Sequence, residues 1–126
     1  MIEAPLKTLS VYHLYQVIAL SYLVQSEYET AGKTSYQVSE LFDYRESQTE
    51  EALNSMIEMS SYGQLTELVA LKRIGSDRED YDGKNWPEIY SRASIETRTA
   101  ELTGIPRLGV FLEKGMQKVR GSRRIA

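Results

Sequence analysis

Thr30-Ala31-Gly32-Lys33-Thr34-Ser35 sets a lysine and two hydroxyls directly after a glycine, the residue types that cradle a phosphate. A complete loop of that kind has another glycine five residues before Gly32 and follows a strand. Glu27 stands there instead, and the stretch follows a helical pattern, so a helix-capping loop is the better reading. Arg78–Ile89 spaces Asp80, Asp82 and Gly83 like part of a calcium loop, but Arg78 occupies the first ligand position and Ile89 the twelfth, where a glutamate belongs. His13 is the only histidine and sits inside an apolar run, as a core or interface residue would. The chain has no cysteine, which excludes disulfides, zinc–thiolate sites and thiol nucleophiles. No serine–histidine–acid set is suggested, and Glu50-Glu51 reads as an ordinary helix surface. The expectation is a protein that is not an enzyme and carries no cofactor or metal.

The polar side chains that remain suit recognition better than catalysis. A helix over Ser47–Ser61 shows Gln48, Glu51, Asn54, Ser55 and Glu58 on its outer face. Gln48 and Asn54 have the amide geometry that pairs with an adenine edge. Ser47 and Ser55 share the segment. Arg45, Lys72, Arg73, Arg78 and Lys84 are candidate phosphate contacts, with Arg92, Arg98 and the Arg120–Arg124 tail as additions. Residues 1–63 hold three basic and nine acidic residues, a net of −6, whereas residues 64–126 hold twelve and nine, a net of +3. Such asymmetry marks one side for a polyanion or lets the two halves pair with each other in the fold. Glu51 and Glu58 oppose phosphate, except where a glutamate accepts from a cytosine amino group.

These side chains need elements to hold them. The 126 residues make one domain, with 120–126 as a basic tail after a body at 1–119. Thr8–Tyr28 reads as one helix. Val11, Leu14, Tyr15, Ile18 and Tyr22 recur at helical spacing, while Tyr12, Val17, Ala19, Leu20, Leu23 and Val24 cover much of the remaining circumference. A helix apolar nearly all round is expected to be buried. Two arrangements do that: a homodimer through Tyr12, Tyr15, Ala19, Tyr22 and Leu23, or a central helix wrapped by its own domain. The Thr8–Ser26 stretch is uncharged but too polar and broken to span a membrane. The N-terminus lacks the pattern of a signal peptide, and a cytoplasmic protein is expected.

Thr34-Ser35-Tyr36-Gln37 and Ser47-Gln48-Thr49-Glu50 both fit capping boxes, separated by a short helix and the turn Tyr44-Arg45-Glu46. The second helix is expected to bury Thr49, Ala52, Leu53, Met56, Ile57 and Ser60. Gln64–Gly75 suits a buried strand through Leu68, Val69, Leu71 and Ile74. It equally suits a helix, with Lys72 and Arg73 near its C-terminus and Gly75 as its stop. Arg92–Leu102, rich in threonine, reads as a strand that would pair with Glu67–Ile74 in a ribbon with a charged tip. A last helix begins at Thr103 or Gly104, with Pro106 in its first turn, and buries Leu108, Phe111, Leu112, Met116 and Val119.

This order, together with "QVSELFDYRESQTEEALNSMIE", "SDREDYDGK" and "ELTGIPRLGVFLEKG", resembles winged helix–turn–helix regulators of the MarR and PadR type over residues 8–119. The resemblance implies a mainly α fold with a small β-hairpin wing at Gly75–Lys84 and a long apolar N-terminal helix. It implies a dimeric transcriptional regulator that binds double-stranded DNA. A second placement puts a helix–turn–helix in Glu96–Gly115, with Gly104 at the turn. The alternative function is a winged-helix protein-interaction module, a small adaptor or inhibitor that offers the acidic face of Ser47–Ser61 to a basic protein partner.

Overall fold

The computed structural model describes residues 6–33, 48–103, 105 and 107–125. In chain order these form α1 (Val11–Lys33), α2 (Gln48–Glu58), α3 (Tyr62–Gly75), α4 (Trp86–Ile95), a 3₁₀ turn at Thr99–Glu101 and α5 (Leu108–Ile125). There is no strand among the described residues. The expected β-hairpin wing is therefore absent: Gln64–Gly75 lies in α3, and Arg92–Ile95 completes α4 rather than opening a strand. The winged arrangement is replaced by a helical bundle. Glu96–Glu101 holds a turn and one 3₁₀ turn, so the helix–turn–helix placed at Glu96–Gly115 lacks its first helix. The helix expected between Thr34 and Tyr44, with Arg45, Ser47, Gly104 and Pro106, lies outside the described residues.

α3 is the centre. Every residue from Leu65 to Gly75 is buried, so the segment has no polar face from which a period could be read. α5 and α4 pack against it, and α1 packs on α5 and α2. Ser61 starts α3 with a capping box: its hydroxyl accepts from the Gln64 N–H at 3.1 Å and its own N–H donates to Gln64 Oε1 at 2.8 Å. At the other end Asp77 takes a left-handed conformation with φ 66°, and the Ser76 N–H donates to the Lys72 carbonyl.

The α3–α5 crossing depends on two glycines. A Cβ on Gly75 would fall on the Phe111 carbonyl, and one on Gly115 would fall on the Leu71 carbonyl. The helices thus touch backbone to backbone, closed by Leu68, Leu71, Ile74, Leu108, Leu112 and Met116. Trp86, Ile89 and Ala93 bury one side of α4, whose first turn carries Pro87.

The chain before α1 is tied to this centre by an acid. Glu67, only 2% exposed, accepts from the backbone N–H groups of Lys7 (2.8 Å), Thr8 (3.2 Å) and Leu9 (2.8 Å). A carboxylate sunk among apolar side chains needs such donors, and here the donors belong to backbone that needs an acceptor.

Candidate interaction surface

α1 has two faces. Leu14, Val17, Ile18, Ser21 and Val24 are buried, with the Ser21 hydroxyl accepting from the Gly109 N–H of α5 at 2.7 Å. The opposite face carries Val11, Tyr12, Tyr15, Ala19, Tyr22 and Leu23, all exposed. Tyr12 is 74% and Leu23 55% exposed. Among the described residues α1 is covered on one side only, so the all-round burial expected of this helix is not met there. Scattered exposed apolar residues are ordinary, but a continuous stripe at helical spacing is not. No Asp, Glu, Lys or Arg occurs from Thr8 to Ser26, so the stripe is also uncharged. Tyr22 is anchored on its rim: its hydroxyl donates to Glu113 Oε1 at 2.6 Å, and that bond raises the phenol pKa.

α2 buries Leu53 and Ile57, while Thr49, Met56 and Ser60 are half-buried and Ala52 is exposed. Gln48, Glu51, Ser55 and Glu58 are exposed and Asn54 is half-buried, so the outer face is acidic, as its letters require. The helix runs Gln48–Glu58, shorter at both ends than the Ser47–Ser61 expected.

The candidate phosphate contacts are dispersed. Lys72 and Arg73 are buried in α3 and turned inward. Lys72 Nζ donates to the Glu101 carbonyl at 2.9 Å and lies 3.6 Å from its carboxylate, and burial lowers its pKa against that carboxylate's pull. Arg73 pairs with Glu96. Arg92 grips Glu79 with two bonds, at 2.8 and 2.7 Å, and Lys118 pairs with Asp77 and caps α3 at the Ile74 carbonyl, 3.1 Å away. Arg78 and Lys84 remain exposed on the α3–α4 loop. Four basic residues of the second half, Lys72, Arg73, Arg92 and Lys118, are thus paired with its own acids. Glu67, Glu79 and Glu96 are the residues that sequence reasoning passed over; a lone glutamate inside "LTELVAL" was the available signal for the first.

The calcium-like loop closes on itself. Asp82 Oδ1 accepts from the Lys84 and Asn85 N–H groups at 2.8 and 2.9 Å, Asn85 returns a bond from the Asp82 N–H, and Gly83 supplies a φ of 91°. His13 Nε2 meets the Ser60 hydroxyl at 3.2 Å. Among the described residues there is no cluster of three or more His, Cys, Asp or Glu able to hold a metal, and no helix long and apolar enough to cross a membrane.

The described residues thus form a helical bundle whose buried Glu67, Lys72 and Arg73 each have partners, with an uncharged face of α1 left exposed. The chain belongs to the family described as "Protein of unknown function (DUF3775)", whose model matches residues 50–120. The matched region runs from α2 through the α3–α5 crossing and does not include α1. No curated protein and no solved structure matches the chain.

Proposed function

We propose that the protein is a helical protein-interaction module whose binding face is the outer side of α1. One observation carries this reading: Tyr12, Tyr15, Ala19, Tyr22 and Leu23 form an exposed, uncharged stripe on a helix whose other side packs on α2 and α5. Tyrosines supply large apolar contact area with a polar tip, and aromatic residues are enriched while charges are depleted at the centre of protein interfaces. The acidic outer face of α2 lies on the neighbouring helix and offers a charged border to such a contact.

DNA binding draws on Gln48, Ser55, Arg78 and Lys84, which are exposed, but Lys72 and Arg73 are committed to internal pairs and the helix offered to the groove carries Glu51 and Glu58. The two readings separate in one pair of measurements. A photo-crosslinking residue at Leu23 should yield covalent protein adducts in cells, whereas the same residue at Glu88, exposed on α4, should not. Duplex DNA at low ionic strength should show no tight binding. Strong binding that weakens steeply with salt, with no adducts at Leu23, would overturn the proposal in favour of phosphate recognition.

A further inference from the structure

We infer that Asp82 and Gly83, in the loop between α3 and α4, form a site of spontaneous backbone rearrangement, where the aspartate side chain closes on the glycine nitrogen and reopens as isoaspartate. The inference is independent of the α1 face.

Residue type opens the possibility and the fold selects the place. Ring closure at an aspartate needs the next backbone nitrogen to reach its Cγ, and a glycine there has no Cβ to obstruct it. The chain has one Asp-Gly pair and no Asn-Gly pair. Asp82 and Gly83 are both exposed, Gly83 has a φ of 91°, and its N–H has no acceptor among the described residues. The Asp82 carboxyl is folded forward over its own backbone, with Oδ1 accepting from the N–H groups of Lys84 at 2.8 Å and Asn85 at 2.9 Å. Those donors hold the carboxyl beside the Gly83 peptide and face the oxygen on which negative charge collects as the ring forms. The other aspartates of the loop are placed differently. Asp77 is paired with Lys118, and the nitrogen that follows it, that of Arg78, donates to the Arg73 carbonyl at 2.9 Å. Asp80 is followed by Tyr81, whose side chain packs against the core.

The step balances with no reagent beyond water. The Gly83 nitrogen attacks Cγ of the protonated carboxyl, the Cγ–Oδ2 bond breaks, and the departing hydroxide takes the Gly83 proton and leaves as water. Water then opens the cyclic succinimide at Cγ, which restores aspartate, or at the former main-chain carbonyl, which gives isoaspartate. In isoaspartate the chain runs through Cβ, and the carboxylate hangs from Cα. The bonds from Lys84 and Asn85 to Oδ1, and the return bond from the Asp82 N–H to Asn85 Oδ1 at 3.0 Å, lose their geometry. Asn85 leads directly into α4, whose first residue, Trp86, is buried and is the only tryptophan. Rearrangement thus unfastens the entry to α4 beside a single fluorophore.

The experiment ages the purified full chain for weeks at body temperature in mildly acidic buffer. Isoaspartate is read by methyl transfer from S-adenosylmethionine with an isoaspartyl methyltransferase and is located by peptide mass spectrometry. It should accumulate at Asp82, with a minor form of the same peptide lighter by one water, and Trp86 emission should shift to the red. Asp82→Ser, which keeps a hydroxyl acceptor, should form none and keep its emission. Asp82→Asn should rearrange faster, since ammonia leaves in place of water. Absence of isoaspartate at Asp82 in the folded chain, even where the urea-unfolded chain forms it, overturns the inference, as does equal yield at Asp77 and Asp80. Isoaspartate at Asp82 with unchanged Trp86 emission upholds the site and overturns its effect on α4.

Discussion

Leu9 and Glu67, fifty-eight positions apart, are joined by a 2.8 Å hydrogen bond from the Leu9 N–H to Glu67 Oε1, while Oε2 takes the N–H groups of Lys7 and Thr8. The segment entering α1 is therefore fixed to the central helix through one carboxylate. Glu67→Gln keeps an acceptor on one side only and puts an amide donor against backbone donors on the other. It should lower the free energy of unfolding in urea by about 1–3 kcal/mol, the cost of buried donors left unsatisfied. Glu67→Ala should cost at least as much. An unchanged midpoint for both would show that the tie contributes nothing.

Gly75→Ala and Gly115→Ala should each destabilise the fold. In an exposed helix interior the exchange of glycine for alanine is favourable by about 1 kcal/mol. Here the added methyl falls on the carbonyl of Phe111 or Leu71, so α3 and α5 must separate. Overpacking of this kind costs typically about 1–3 kcal/mol. A lower melting temperature for both variants is the expected outcome, and a rise in either would show that the crossing tolerates a Cβ.

Acid should loosen the end of the bundle where α3 meets the loop before α4. The hydrogen bond and charge of Arg92 hold the Glu79 carboxyl below its usual pKa, and those of Lys118 do the same for Asp77. A depressed folded-state pKa gives stability that is present above the unfolded carboxylate range and is lost as pH falls through the folded value. The urea midpoint should accordingly fall from neutral pH into the acid range, and Arg92→Ala should flatten that fall. Since Arg92 and the Asp77–Lys118 pair are largely exposed, salt should reduce the effect. A midpoint indifferent to pH, with wild type and variant alike, would remove these pairs from the account.

Lys72→Met and Arg73→Met probe the two buried cations. Each replaces a paired charge by an apolar side chain and leaves its acid partner, Glu101 or Glu96, with access to water. Removing one member of a buried pair is costly when the other charge is left buried, but here water can solvate the acid that remains, so the cost is small. The melting temperature should change little for Lys72→Met, and any nucleic-acid affinity should be unaltered by either variant. A large loss of duplex binding would return both residues to the surface as phosphate contacts.

The helical period was legible wherever one face met water. Leu108, Leu112, Met116 and Val119 repeat at helical spacing and are buried, and Leu53 with Ile57 does the same in α2. Two further signals were present and unread: Ser61 with Gln64 forms a capping box, and Trp86, Ile89 and Ala93 follow helical spacing around Pro87 at a helix start. The threonines after Ala93 drew that segment toward a strand instead.

The sequence by itself determined that Thr8–Ser26 is uncharged with apolar residues around much of its circumference, that the outer face of α2 is acidic, and that no thiol chemistry exists, because these follow from residue type and short-range spacing alone. Only the tertiary structure decided the rest. Gln64–Gly75 is enclosed on all sides, and a segment with no wet face has no period to distinguish helix from strand until α4 and α5 are packed around it. Lys72 and Arg73 point inward because their acids arrive from twenty-nine and twenty-three residues further along the chain, a distance that no local pattern reaches. For the same reason the apolar circumference of α1 could not declare which side its own bundle would cover and which it would leave to Tyr12, Tyr15, Ala19, Tyr22 and Leu23.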